Sequence, residues 1–417
     1  MLTPPRDNHL RVPLCRPDIG EEEIAEVEQV LRSGWLTTGP RARSFEAAFA
    51  AAVRARHAIA LNSCTGALHL GILSLGIDAS QAVLVPTLSF ASAAQVVRET
   101  GAKPILVDCD PLNLNIDLTD ADRKIAELGQ GANVEAFPAD LSITGIIPVH
   151  VGGLMSSPME IQGFARRHQL WIVEDAAHAF PAAWQDPCTG NWKPCGEDTA
   201  HVTCYSFYAN KTITTGEGGM AVTDNADLAN RIRTMSLHGF SKDAWKRATT
   251  DLEWDYEIRS QGYKYNMSDV AAAIGLRQLK RSEEMRQRRE DIAECYLSAF
   301  QDLDQIELPP NPGNYIHSWH LFQIRLRLGN LLIDRDQFYR ELKAHGIQSS
   351  VHWKPLHLHP LYREQYGWTP EQFPVATRVW KTLLSLPIYS SMSPGERNYV
   401  ISVVRELCQR HRKMMTA

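Results

Sequence analysis

The sequence predicts an α/β protein: a large domain on a mostly parallel mixed sheet flanked by helices, then a smaller C-terminal α+β domain. Three observations carry this expectation. Short β-branched runs alternate with helical patterns through the first half of the chain, as expected for a sheet covered on both faces. The chain has 417 residues and is 44% hydrophobic, enough for a sizeable core and a second, smaller one. After Asp224 the alternation gives way to longer helical stretches.

The elements follow in order. "EEEIAEVEQVLRS", from Glu21 to Ser33, puts Ile24, Val27, Val30 and Leu31 at helical spacing, with acids in the first turn where they suit the helix dipole. Gly34 breaks this helix, and "RARSFEAAFAAAVRA" resumes one. "HAIALNS" is a buried strand and "TGALHLGILSLGI" a helix; "AVLVPT" is a strand and "SAAQVVRETG" a helix closed by Gly101. "KPILVDCD" and "GIIPVHV" are strands, and "SSPMEIQGFARRHQ" is a helix opened by Ser157 and Pro158. "LWIVEDA", "HVTCYSFY" and "GMAVTDN" are strands, "ADLANRIRTMSLHG" is helical, and residues 241–265 read as loop. "SDVAAAIGLRQLKRSEEMRQRREDIAECYLSAF" reads as one long helix capped by Ser268. "WHLFQIRLRL" is a strand, "DRDQFYRELKAHG" a helix ended by Gly346, and "SSVHWKPLHLHPLY" a proline-broken loop. The expected division is a large domain over 1–265, a connecting long helix over 266–300 and a small domain over 301–417.

Charge and composition narrow the function. Net charge is -5 and 22% of residues are charged, an ordinary globular share. "RQRRED" is short and interrupted by acids, so nothing points to nucleic acid or a membrane surface. "MLTPPRDNHL" lacks the apolar core of a signal peptide, and no apolar run is long enough to span a bilayer. Eight scattered cysteines suit reduced thiols in the cytoplasm. Cys188 and Cys195 lack the spacing of a zinc knuckle and no second pair follows, so no metal is expected.

Three strand ends present polar residues. In "NSCTGALHLG" a strand stops at Asn62 and a helix begins near Gly66, offering unpaired N–H groups to an anion, with Ser63 and Thr65 adding hydroxyls. A plain helix cap is the alternative. In "IVEDAAHA", Asp175 ends an apolar strand and His178 follows; a buried carboxylate there needs a partner, which a cap or salt bridge also supplies. In "CYSFYANKTITTGEGGM", Ser206 lies in a strand, Lys211 follows, and the glycines allow a tight return.

Together these three ends match the needs of pyridoxal phosphate: an anion site, a carboxylate beside the ring nitrogen, and a lysine for a Schiff base. The carboxylate keeps the ring nitrogen protonated, so the ring accepts electrons. Phe90, in "PTLSFASAAQ", is placed to stack on the ring, with a core position as its alternative.

Seven segments carry a resemblance: "RPDIGEEEIAEVEQVLRSGWLTTGP", "LNSCTGALHLGILSLGI", "VEDAAHA", "SFYANKTITTGEGGMAVTDN", "LHGFSKDAWKR", "GYKYNMSDVAAAIGLRQL" and "VHWKPLHLHPLY". On these the chain resembles the DegT/StrS family of sugar aminotransferases, which are fold-type I pyridoxal-phosphate enzymes. The resemblance implies that Lys211 forms the Schiff base and shuttles the proton, and that Asp175 pairs with the ring nitrogen. It implies that His178 sits near the ring hydroxyl or contacts Asp175, that Thr65, Gly66 and Ser206 hold the phosphate, and that Phe90 stacks on the ring. It further implies a homodimer with shared sites, in which Lys264 or Asn266 of "GYKYN" reaches the partner's cofactor phosphate. Many relatives carry Asn and Arg at those two positions. His357 is implied as a residue of the sugar pocket. Two stretches depart from the family pattern, "TDADRKIAELGQGANVEAFPADLS" and "AAWQDPCTGNWKPCGEDTAH", and read as surface insertions.

The implied reaction moves an amino group from an amino acid, L-glutamate, to a nucleotide-linked ketosugar, leaving 2-oxoglutarate, in two ping-pong halves. "SKDAWKR" and "GYKYN" point to C4 of a UDP-4-keto-6-deoxy-type sugar. The alternatives each lack a feature. Dehydratases of this fold usually carry histidine in place of Lys211, and a non-catalytic regulator would lose Asp175 or Lys211. A dinucleotide dehydrogenase needs G-x-G-x-x-G opening a helix, which "TTGEGG" does not do.

Overall fold

A computed structural model describes residues 11–129, 141–241 and 256–413. The central sheet is built from β1 (His57–Leu61), β2 (Gln81–Pro86), β3 (Lys103–Val107), β4 (Ser142–Ile146), β5 (Trp171–Asp175), β8 (Val202–Ser206) and β9 (Gly219–Thr223). Their spatial order is β1-β9-β8-β5-β4-β2-β3. Strands β3, β2, β4, β5 and β8 pair in parallel. β9 is antiparallel to both neighbours, so β1 beyond it runs the same way as β8. The carboxyl ends of β1, β5 and β8 therefore share one rim, where open α/β sheets bind ligands.

The strands form because both faces are covered. Ile59, Leu61, Val83, Val85, Val173 and Val202 pack beneath helix α3 (Cys64–Ser74), and Leu84, Ile105, Val107, Ile146 and Ile172 pack on the other face. Each such side chain contributes about 1.5–3 kcal/mol on burial. A second core gathers Val12 with Tyr296, Phe322, Ile324, Phe338, Leu386 and Val404. Its sheet has the order β10-β12-β13, with β10 Ile306–Glu307, β12 Phe322–Leu326 and β13 Leu383–Leu386. Leu356, Tyr362, Trp368 and Phe373 cross back and join the core under α3.

Three expectations need correction. Helix α1 (Glu21–Ser33) forms where its spacing predicts, but of its apolar stripe only Val30 is buried. Ile24 and Leu31 are 54% and 55% exposed, while Glu23 and Glu26 are buried. Glu26 accepts from Arg277 Nε at 2.7 Å, and Glu23 accepts from Gln278 Nε2 at 2.8 Å and Arg281 Nη1 at 3.2 Å. Opposite charges facing it, which are invisible to a periodicity argument, draw Glu23 and Glu26 onto the inner face beside Val30.

The predicted long helix is two helices, Asp269–Lys280 and Ser282–Phe300, broken at Arg281. There the backbone leaves helical geometry (φ -100, ψ 1), and the Arg281 guanidinium is tied to Asp18 at 2.9 Å as well as to Glu23.

The cysteine-bearing stretch is no simple surface insertion. It forms the hairpin β6 (Ala183–Gln185) and β7 (Trp192–Pro194), and β6 pairs with β11 (Tyr315–Ile316) from far along the chain. Trp184 and Cys195 are buried, and the Tyr205 hydroxyl donates to the Cys195 carbonyl. The other hydrophilic stretch begins as a helix, Leu118–Gly129; its residues 130–140 lie outside the described residues, as does most of "SKDAWKR".

Candidate active site

The first wall is the start of α3. Ser63 caps it, its Oγ accepting from the Gly66 N–H at 3.0 Å, and Ala67 N–H bonds the Ser63 carbonyl. The N–H groups of Cys64 and Thr65 have no acceptor among the described residues, and the Thr65 side chain is exposed. Gly219 sits between Leu61 and Ser206 in the sheet. A Cβ there would lie 2.3 Å from the Ser63 carbonyl carbon and 2.4 Å from the Cys64 nitrogen. Glycine is what lets the helix start touch the sheet. Ser206, half-buried at the end of β8, accepts from the Tyr208 N–H at 3.3 Å.

Asp175 ends β5 and is buried. Its Oδ1 accepts from the Ala177 N–H at 3.0 Å and faces the Cys64 thiol at 3.8 Å. Among the described residues nothing donates to Oδ2. Burial raises the carboxyl's proton affinity, opposed by the Ala177 N–H, Lys211 and Cys64.

Lys211 stands in the loop between β8 and β9. The loop is closed by Phe207 N–H to Gly218 O at 2.9 Å, Thr215 N–H to Phe207 O at 2.9 Å, and Lys211 N–H to Tyr208 O at 3.0 Å. Gly216 takes φ +80, which favours glycine. Burial of the Lys211 amine lowers its pKa to about 8, partly offset by the Asp175 charge and reinforced by Arg289. The two residues thus act on each other's proton affinity across the rim.

His178 lies buried beyond Asp175, its Nδ1 without a hydrogen-bond partner. Its ring is flanked by His320 at 4.1 Å and by Trp353 at 5.1 Å. Burial, with the Lys211 charge, holds it well below the ordinary histidine pKa, so it is neutral. Arg289, also buried, donates to the carbonyls of Trp319 and Ile388 at 3.2 and 3.0 Å and fastens the segment that carries His320. His352 donates to or accepts from Ser385 Oγ at 2.8 Å.

Several expected residues sit differently. Phe90 is 59% exposed, which removes the core alternative. The Lys264 amine bonds Asn266 Oδ1, and Asn266 Nδ2 donates to Thr38 at 2.7 Å. His357 is a correction: it is 0% exposed and packed in the core. Its Nδ1 pairs with Thr87 at 2.8 Å, its Nε2 with Thr377 at 2.9 Å, and its ring stacks on Phe373. A histidine with both nitrogens bonded in a core is structural. Sequence reasoning chose it over His352 and Trp353 of the same loop, because three histidines there offer no spacing that ranks them. It also passed over Cys64, His320 and Arg289; the unpaired arginine inside a helical apolar stripe was the one available signal.

Among the described residues His150, Glu174 and Cys195 cluster as potential metal ligands. The Ser156 N–H donates to His150 Nδ1 at 3.1 Å, so neutral His150 carries its proton on Nε2, which lies 3.8 Å from Glu174 and has no hydrogen-bond partner among the described residues. Glu174 Oε2 accepts the hydroxyls of Thr199 and Thr203 at 2.6 and 2.9 Å.

A free helix start, a buried carboxylate with one open oxygen, and a lysine of lowered pKa on one rim fit pyridoxal phosphate. Fold and rim together define a fold-type I pyridoxal-phosphate enzyme. More narrowly, the chain belongs to the DegT/DnrJ/EryC1/StrS aminotransferase family, which matches residues 17–405. It is 40% identical over 401 residues to the spore coat polysaccharide biosynthesis protein SpsC of Bacillus subtilis, covering 96% of this chain and 97% of that one. It is similar to Spr1654 from Streptococcus pneumoniae, solved in a PMP form, with TM-score 0.85, 29% identity, and 96% and 100% of the two chains covered. It is also similar to the sugar aminotransferase CalS13 from Micromonospora echinospora, with TM-score 0.80, 25% identity, and 95% and 99% covered. The protein is a pyridoxal-phosphate-dependent sugar aminotransferase. No described helix is long and apolar enough to cross a membrane.

Proposed function

We propose that this enzyme transfers an amino group from L-glutamate to a nucleotide-linked ketosugar, at C4 of a UDP-4-keto-6-deoxy-type sugar. The observation that carries the chemistry is the meeting of Lys211, Asp175 and the α3 start on one rim. Pyridoxal phosphate, when bound, supplies an aldehyde that carries the amino group and a ring that takes up electrons from a broken C–H bond. Lys211 holds the cofactor covalently and then moves the proton at the reacting carbon; its lowered pKa keeps a useful share of free amine near neutrality. Asp175 would turn its open oxygen to the ring nitrogen and hold a proton there. Thr65, Gly66, the α3 N–H groups and Ser206 bind the phosphate. Exposed Phe90 lies against the ring face. Neutral His178, backed by Trp353, would lie near the ring hydroxyl or against Asp175.

The polysaccharide role in the name of SpsC supports a sugar on a biosynthetic carrier. A homodimer completes the reading. Helix α1 turns Ile24 and Leu31 outward while Glu23 and Glu26 are paired inside, which supports a face that a second copy covers. Lys264 or Asn266 then reaches the partner's phosphate. The large domain over 1–265, the connector and the small domain over 301–417 close on the cofactor from two sides, in the cytoplasm.

The test runs the reaction backwards. A panel of nucleotide-linked amino sugars is offered with 2-oxoglutarate while the spectrum of the bound cofactor is followed. UDP-linked 4-amino-6-deoxy sugars are expected to change the spectrum and yield glutamate. Turnover confined to 3-amino sugars, or to another nucleotide, overturns the assignment.

A further inference from the structure

Cys64 is the first residue of α3, buried, and its thiol faces two acceptors: the Cys204 carbonyl at 3.5 Å and Asp175 Oδ1 at 3.8 Å. A thiol has one proton to give. The Cys204 carbonyl already accepts the Ala176 N–H at 2.9 Å. Asp175 is the charged acceptor, and charge-assisted hydrogen bonds are roughly twice as strong as neutral ones. Oδ1 has a second donor in the Ala177 N–H at 3.0 Å, whereas no described residue donates to Oδ2. The carboxylate is thereby held from one side with the other oxygen left open.

We infer that Cys64 is a positioning residue for the reaction: its thiol donates to Asp175 Oδ1 and so orients Oδ2 toward the ring nitrogen of the cofactor. The inference rests on the role proposed for Asp175. Its physical content is specific. Burial pushes the Cys64 thiol well above its ordinary pKa, so it stays a donor throughout the working pH range. Burial also raises Asp175, so each donor that favours the charged carboxylate counts. The same residue links two parts of the site, because the helix start that binds phosphate also carries the donor that sets the carboxylate.

Two measurements test this. The first uses the full-length protein freed of cofactor. The infrared S–H stretch of Cys64 is isolated as wild type minus Cys64→Ala. Asp175→Asn is expected to move that band to higher wavenumber, since a neutral amide is the weaker acceptor; an unmoved band overturns the contact. The second titrates the visible absorbance of the loaded enzyme. Cys64→Ala is expected to shift its midpoint to higher pH, as a less firmly protonated ring raises the basicity of the attached nitrogen. It is also expected to lower kcat about tenfold, the loss of one hydrogen bond to a charged group, with KM nearly unchanged. Cys64→Ser, which keeps a donor, is expected to recover most of both. A moved band with an unshifted titration, or no recovery by serine, overturns the positioning role. Wild-type turnover of Asp175→Asn would instead sink the role of Asp175 itself, with the infrared result still deciding the contact.

Discussion

His178 and Trp353 stack with ring centroids 5.1 Å apart and planes 22° from parallel. His178 follows β5 of the central sheet, while Trp353 comes from the C-terminal loop. Such ring pairs contribute about 0.5–1.5 kcal/mol beyond the area they bury. The His178 ring is held by this stack and by His320, since its Nδ1 makes no hydrogen bond. Trp353→Ala is therefore expected to lower kcat/KM about tenfold, with Trp353→Phe retaining most of it. Steady-state kinetics checks this, and equal rates for alanine and tryptophan would remove the wall from the mechanism.

Lys211→Ala is expected to lower turnover by about 10³-fold or more, because covalent anchoring and proton transfer are lost together. The variant is expected still to bind pyridoxal phosphate through the α3 start and Asp175. Borohydride treatment of the wild type followed by peptide mapping should mark Lys211. A mark on another lysine refutes the assignment.

The pH dependence of cofactor capture follows from the Lys211 amine, lowered to about 8 chiefly by burial. Only the free base attacks an aldehyde. The rate of capture by cofactor-free protein should climb about tenfold per pH unit below this value and level off above it. Stopped-flow absorbance reads the profile. The stability sign is linked: between about 8 and the free-lysine value near 10.4, the unfolded chain binds more protons, so this group's contribution to stability rises with pH there.

His357 behaves as a core residue. His357→Ala removes two buried hydrogen bonds and a stacked ring, at a cost of about 2–4 kcal/mol. Thermal unfolding should show a clear fall in Tm, while KM for the sugar stays within about twofold. A large KM change without loss of stability would restore it to the pocket.

Ile24→Glu combined with Leu31→Glu is expected to separate the proposed homodimer, since both side chains are exposed on the isolated chain. Sedimentation velocity measures the mass. A variant with unchanged assembly would move the interface elsewhere.

Much of the fold was legible because it is local. Alternating apolar runs and helix caps report how each segment must be covered, and the rim residues Thr65, Asp175, Ser206 and Lys211 announce themselves by polar chemistry at strand ends. The α1 helix marks the limit. Its spacing states that an apolar stripe exists but not what covers it, and Arg277 and Arg281 turn its acids inward instead.

The sequence alone determined the α/β class and the order of the elements, because these depend on neighbours a few positions apart. Tertiary structure alone decided that Cys64 faces Asp175, that His357 is locked between Thr87 and Thr377, and that Trp353 rather than His357 meets His178. Those relationships join segments far apart in the chain, and distance in space is set by how the whole core packs rather than by any local pattern.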